Sequence, residues 1–338
     1  MQKAFVSIAV AASLGLGATA AQAAILDDVK AKGYIQCGVT GGVAGFSAPD
    51  SNNVWTGIEV DYCRAMAAAI FNDADAVRFT SLTSQERFTA LSAGEVDVLS
   101  RTTTWTMSRD TQLGISFVGT MFYDGQGFMV RVEDGIESAL DLSGAAICIE
   151  SGTTTELNAA DYFAANGMEF NTVVFVDQDE VVKAYEDGRC DVYTTDSSAL
   201  AAERSKFANP DDHIILPEII SKEPLGPVVR AGDTQWFNIA RWTYFALLEA
   251  EELGVSSANV DEQLGSDNPA IKRLLGVEGE FGAPLGLDNA WAYQIIKLVG
   301  NYAETYERNV GPDTPIGLER GLNALWRDGG IQYAPPIR

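Results

Sequence analysis

The chain is short of several things, and each shortage closes off a class of function. It has one histidine, His213, in 338 residues, and its four cysteines include no C-x-x-C pair. A metal centre has little to build on, and none is expected, nor any cofactor. No G-x-S-x-G elbow and no thiol in an activating context is present, so the common nucleophile signatures are missing. Cations are scarce too: 23 Lys and Arg face 47 Asp and Glu, a formal charge of −24. Such an acidic surface repels nucleic acid and anionic lipid, and neither is expected as a partner.

Long apolar runs are also lacking, with one exception at the start. Lys3 precedes the apolar run Ala4–Leu16, and Ala21-Gln22-Ala23 is a small-x-small cleavage signal. This is the pattern of an export leader, with cleavage expected after Ala23. The run is short and interrupted by Ser7 and Ser13, too little for a membrane span. The exported chain is long enough for two lobes with their own cores. Four cysteines fit an oxidising compartment. Cys37 and Cys63 fall in one α/β segment, and Cys148 and Cys190 fall in a second. The pairs Cys37–Cys63 and Cys148–Cys190 are therefore expected, each closed within one lobe.

What the chain does have is a phrase used twice. Gln85–Thr104 reads QERFTALSAGEVDVLSRTTT, and Gln178–Asp196 reads QDEVVKAYEDGRCDVYTTD. Each is a helical pattern stopped by glycine (Gly94, Gly188), then Asp-Val, a short strand and a pair of threonines. Helix-to-strand units in series argue parallel sheets, and ligands bind beyond the carboxyl ends of such strands. Two such ends point to two lobes facing a shared ligand. Lobe one is expected over 24–130 and 224–338, and lobe two over 131–223. The return crossing falls near Pro224–Val229. The remainder reads as helices over 234–253, 270–275, 289–308 and 316–327. Within them Trp291, Ile295, Leu298 and Tyr302 form an apolar stripe expected in the core.

Three clusters could carry chemistry. Thr102 and Thr104 share an orientation at a strand end, with Arg109 soon after; a guanidinium fork matches a carboxylate. Arg109 could equally be a surface residue paired with Asp110. Glu150–Thr155 joins a strand to a helix, so Thr153 and Thr154 can meet an anion or simply cap. Asp196 can accept from an ammonium, or cap the helix after it. A cation on one lobe with a carboxylate and a helix start on the other suits a zwitterion.

Longer stretches carry a resemblance. GFSAPDSNNVWTGIEVDYCRA (45–65), SAGEVDVLSRTTTWTMSRD (92–110), SGTTTELN (151–158), GRCDVYTTD (188–196) and the tail GGIQYAPPIR (329–338) resemble the polar amino-acid (family 3) periplasmic solute-binding proteins of ABC transporters. The general L-amino-acid-binding branch is the most similar, and the likeness covers essentially the whole exported chain. It implies a periplasmic-binding-protein type II fold, two α/β lobes with hinge crossings and a helical C-terminal extension, acting as a monomer that serves a membrane permease. It also implies that Arg109 clamps a ligand α-carboxylate, that Thr102 and Thr104 bind amine or carboxylate, that Thr154 and Thr153 support the carboxylate, and that Asp196 takes the α-ammonium. Members that select basic amino acids carry an Asp and an aromatic where this chain has Thr40 and Val43, and this departure implies breadth. An exported enzyme similar to cyclohexadienyl dehydratase is the alternative on the same fold. His213 lies outside every matched motif and reads as a surface residue.

Overall fold

The computed structural model describes residues 24–338; the leader and its cleavage site lie outside the described residues. Two five-stranded sheets organise the chain. The first runs, in spatial order, Val77–Ser81, Ile35–Val39, Val98–Leu99, Val228–Arg230 and Ile115–Phe117. Its first three strands are parallel, and Val228–Arg230 runs antiparallel between its neighbours. The second runs Asn171–Phe175, Ala146–Glu150, Val192–Asp196, Gln126–Arg131 and His213–Ile215. Here Gln126–Arg131 is the antiparallel insertion.

The chain crosses between the sheets twice, and the two crossings pair as an antiparallel ribbon, Phe122–Asp124 with Glu223–Leu225. Nearby, Gly226 passes so close to Gly119 that an added Cβ would lie 1.9 Å from the Gly119 carbonyl oxygen. Only glycine fits there. The first crossing therefore precedes the expected boundary at residue 130. Residues 126–130, which that boundary assigns to lobe one, belong to strand Gln126–Arg131, buried on both faces inside the second sheet.

The duplicated phrase builds the same device in each lobe. The helices are Arg87–Ala93 and Gln178–Glu186. They stop at Gly94 (φ 79°) and Gly188 (φ 72°), backbone that side chains resist. Each following aspartate then pins the neighbouring strand. The Asp97 carboxylate accepts from Gln36 N–H at 2.7 Å, and the Asp191 carboxylate accepts from Ala146 N–H at 2.8 Å. Both disulfides are present, Cys37–Cys63 and Cys148–Cys190, with Cα separations of 6.4 and 5.6 Å.

Lobe one holds the larger core. Helix Ile58–Phe71 is lined with alanines, which let Trp291–Leu298 and Thr234–Glu252 approach closely. Trp236 and Tyr62 are buried with their polar ends satisfied, on the carbonyls of Asp97 (2.9 Å) and Ala240 (2.8 Å). The expected helix 289–308 is two helices, Trp291–Leu298 and Tyr302–Asn309. Asn301 and Glu304 form a capping box that restarts the chain there. Trp291, Ile295 and Tyr302 are buried as expected, but Leu298 is 45% exposed. Leu298 is the last residue of its helix. The expected helix 316–327 is absent; only short 3-10 turns at Gly321–Asn323 and Trp326–Asp328 form. Gly317 and Gly321 adopt positive φ inside that span.

The C-terminal extension buttresses the first crossing. Asn323 brackets Tyr123, accepting from its N–H at 2.7 Å and donating to its carbonyl at 3.0 Å. Tyr244 and Tyr302 donate to the carbonyls of Thr120 and Met121, and Tyr306 stacks on Phe122.

Candidate ligand-binding cleft

Between the lobes, at the strand ends, lies a narrow cavity lined by residues of both lobes. The lobes touch around it. Gln85 of lobe one donates to Ser151 of lobe two at 2.8 Å, and Lys206 of lobe two donates to the Gly42 carbonyl at 3.0 Å.

Asp196 lines the cavity. It holds the N-cap position of helix Ser197–Arg204 but makes no capping hydrogen bond. That task falls to Asp124 on the first crossing, whose carboxylate accepts from both the N–H and the hydroxyl of Ser198. Capping does not account for Asp196. Burial, then the charges of Asp124 and Glu223, push its carboxyl well above the usual range, against the pull of Arg87 and Arg109. Asp124 is pushed up to about 6, mainly by burial. A cation placed beside Asp196 would relieve both.

Thr154 also declines to cap its helix, Thr155–Ala165. Thr153 accepts from Thr155 N–H instead, at 3.2 Å. The Thr154 hydroxyl donates at 3.0 Å to Glu223, the first residue of the second crossing. Thr104 of lobe one donates to the same Glu223 oxygen at 2.5 Å and lies 3.4 Å from the Thr154 hydroxyl. Asn158 and Ser221 hold the other oxygen at 2.6 and 2.7 Å. One buried carboxylate thus ties both lobes to the hinge.

Thr102 lines the cavity with Thr104. Its backbone is strained at φ 31° and its N–H is held by the buried Glu59 carboxylate. Thr103 turns away, fully buried, to the Arg101 carbonyl.

Arg109 is buried and makes no ion pair with Asp110 or with any other carboxylate among the described residues. The surface-residue reading therefore fails. Its guanidinium donates to the Thr104 carbonyl at 3.0 Å and lies over the Phe88 ring. It meets the cavity through Thr104, while the cations that line the wall are Arg87 and Arg101. Thr40 lies in an adjoining space rather than this one, bonded to Ser47. His213 is half-buried against Phe207 and bonded to Tyr185 at 2.9 Å, away from both spaces.

A model of the bacterial extracellular solute-binding proteins, family 3, matches residues 35–254. The chain belongs to that family. It is 59% identical to the general L-amino acid-binding periplasmic protein AapJ of Rhizobium johnstonii, over 97% of each chain. It is 52% identical to the glutamate/glutamine/aspartate/asparagine-binding protein BztA of Rhodobacter capsulatus, over 99% of this chain and 98% of that one. Among solved structures, a periplasmic binding protein from Brucella ovis with glutathione bound superposes with TM-score 0.92 at 58% identity, over 94% of this chain and all of that one. These relatives are binding components, so this family 3 protein is a solute-binding protein and not an enzyme of similar fold. It is exported, as they are. No helix among the described residues is long and apolar enough to cross a membrane.

Sequence reasoning overlooked Arg87, Arg101, Asp124 and Glu223. A signal existed for one of them: Arg101 is a lone cation between the apolar Val98-Leu99 and three threonines. Glu223 and Asp124 gave none, because their importance comes from the pairing of two crossings 99 residues apart in register.

Proposed function

We propose that this protein captures L-amino acids of several kinds in the periplasm, between closing lobes, and presents them to the permease of an ABC transporter. The observation that carries this reading is Asp196, a cavity-lining carboxylate with no capping hydrogen bond, in the site where an ammonium would neutralise it. The α-ammonium seats on Asp196. The α-carboxylate meets Arg109, which turns from the Thr104 carbonyl, with Thr102, Thr104, Thr153 and Thr154 supplying hydroxyls and amides. Charge-assisted contacts of this kind contribute roughly 1.5–3 kcal/mol each. Because Arg109 and Asp196 belong to different lobes, a ligand reaches both only in the closed form, and so shifts the population towards closure. Thr40, in the adjoining space, meets only longer side chains. The protein acts as a monomer, with its leader cleaved after Ala23, lobe one formed by the flanking segments and lobe two by the middle of the chain.

Isothermal titration of ligand-stripped protein against the amino acids tests the reading. Binding of several chemically different L-amino acids, without product, is the expected result; turnover of any of them, or no binding, overturns it.

A further inference from the structure

Arg101 and Glu150 face each other across the cleft, one beyond the Val98–Leu99 strand of lobe one, the other ending Ala146–Glu150 of lobe two. Together with Gln178 they line both the cavity containing Asp196 and the adjoining space formed by Thr40, Ser81, Thr83 and Asp179. Gln178 is occupied, donating to Glu203 at 2.8 Å. Arg101 and Glu150 form the ion pair of the partition.

Neither partner is well satisfied. Arg101 is 6% exposed, yet its guanidinium makes a single hydrogen bond, Nε to the Leu82 carbonyl at 2.8 Å. Its Nη2 stands 3.6 Å from Glu150 Oε1, beyond hydrogen-bond range. The Glu150 carboxylate accepts no hydrogen bond from any described residue. Arg87, which lines only the first of the two spaces, spends both Nη atoms on the carbonyls of Thr102 and Gly152 and leaves its buried Nε without a partner. Buried charges held this loosely keep much of their desolvation cost, so a ligand group that supplies the missing bonds can displace either partner.

We propose that the Arg101–Glu150 pair is the side-chain subsite of the cleft and that it parts for ligands of either polarity. This rests on the amino-acid-binding reading above. A side-chain carboxylate or carboxamide oxygen accepts from Arg101 and frees Glu150 towards the adjoining space. A side-chain ammonium or guanidinium donates to Glu150 and leaves Arg101 on Leu82. Small side chains leave the pair closed over them.

The test compares alanine, glutamate and lysine binding, by titration calorimetry on ligand-stripped full-length protein, in wild type, Arg101→Gln, Arg101→Lys and Glu150→Gln. Arg101→Gln is expected to lower glutamate affinity relative to alanine at least tenfold, with the lysine-to-alanine ratio within threefold. Arg101→Lys, which keeps the cation, restores most of the glutamate preference and serves if Arg101→Gln does not fold. Glu150→Gln is expected to lower lysine relative to alanine at least tenfold and to spare the glutamate ratio. Equal losses for all three ligands, or unchanged ratios, overturn the subsite and leave amino-acid binding standing. A wild type that binds none of the three overturns both readings.

Discussion

In lobe one the shared phrase ends at a two-residue strand and runs into Arg101, a strained Thr102 and then Arg109. In lobe two it ends in a full five-residue strand that delivers Asp196. The common part, with its glycine stop and its aspartate pin, is scaffold. The difference lies in the last few residues, which make one lobe cationic towards the cleft and the other anionic. Their cores differ as well. Lobe one joins its sheet to the C-terminal helices in one large cluster and keeps a smaller one against helix Arg87–Ala93, whereas lobe two has two small clusters, one on each face of its sheet.

The sharpest way to break this contrast is to remove one charge from either side. Arg109→Ala and Asp196→Ala are each expected to abolish binding of all amino acids alike, since unpairing a buried charge costs about 3–5 kcal/mol. Retained affinity in titration calorimetry would falsify the opposed-charge arrangement. The cores are compared through their disulfides, each contributing about 2–4 kcal/mol. Opening Cys148–Cys190, which spans 42 residues and braces the smaller core, should lower the melting temperature more than opening Cys37–Cys63, which spans 26. The reverse order in calorimetric scans of the two double alanine variants would show that lobe one is the weaker unit.

Protonation gives a subtler test. The raised carboxyls of Asp196 and Asp124 hold protons that the unfolded chain has already lost. Ligand-free stability should therefore fall as the pH rises from about 4 through about 6, and Asp124→Asn should flatten that slope in urea melts. An arriving ammonium favours the ionised form, so binding below about pH 6 should release protons. Titrations in buffers of different ionisation enthalpy measure this, and proton uptake would contradict the seat on Asp196. The smallest effect concerns the hinge. Asn323→Ala removes two hydrogen bonds to Tyr123, at about 0.5–1.5 kcal/mol each, and should speed amide exchange at 122–124 while sparing the rest of lobe one. Unchanged exchange there would mean that the extension does not brace the crossing.

Local signals were readable wherever the phrase or a helical stripe ran uninterrupted: the two sheets, the long helix after Asp233 and the positions of Thr104, Thr154 and Asp196. They misled at 289–308 and 316–327, where a capping box and positive-φ glycines cut across an apolar pattern that periodicity alone would extend. The edge of lobe two was misplaced because Gln126–Arg131 shows the same apolar run whichever sheet it joins.

By itself the amino-acid sequence determined the twin α/β units and the cysteine partners, because each is encoded within a few dozen contiguous residues. Only the tertiary structure decided that Asp124 caps the helix behind Asp196 and so leaves its carboxylate open to the cavity. It likewise decided that Glu223 gathers hydroxyls from both lobes, and that Arg101 faces Glu150 without a hydrogen bond between them. Those facts depend on which buried groups compete for the same donors, and that competition exists only once distant segments are packed together.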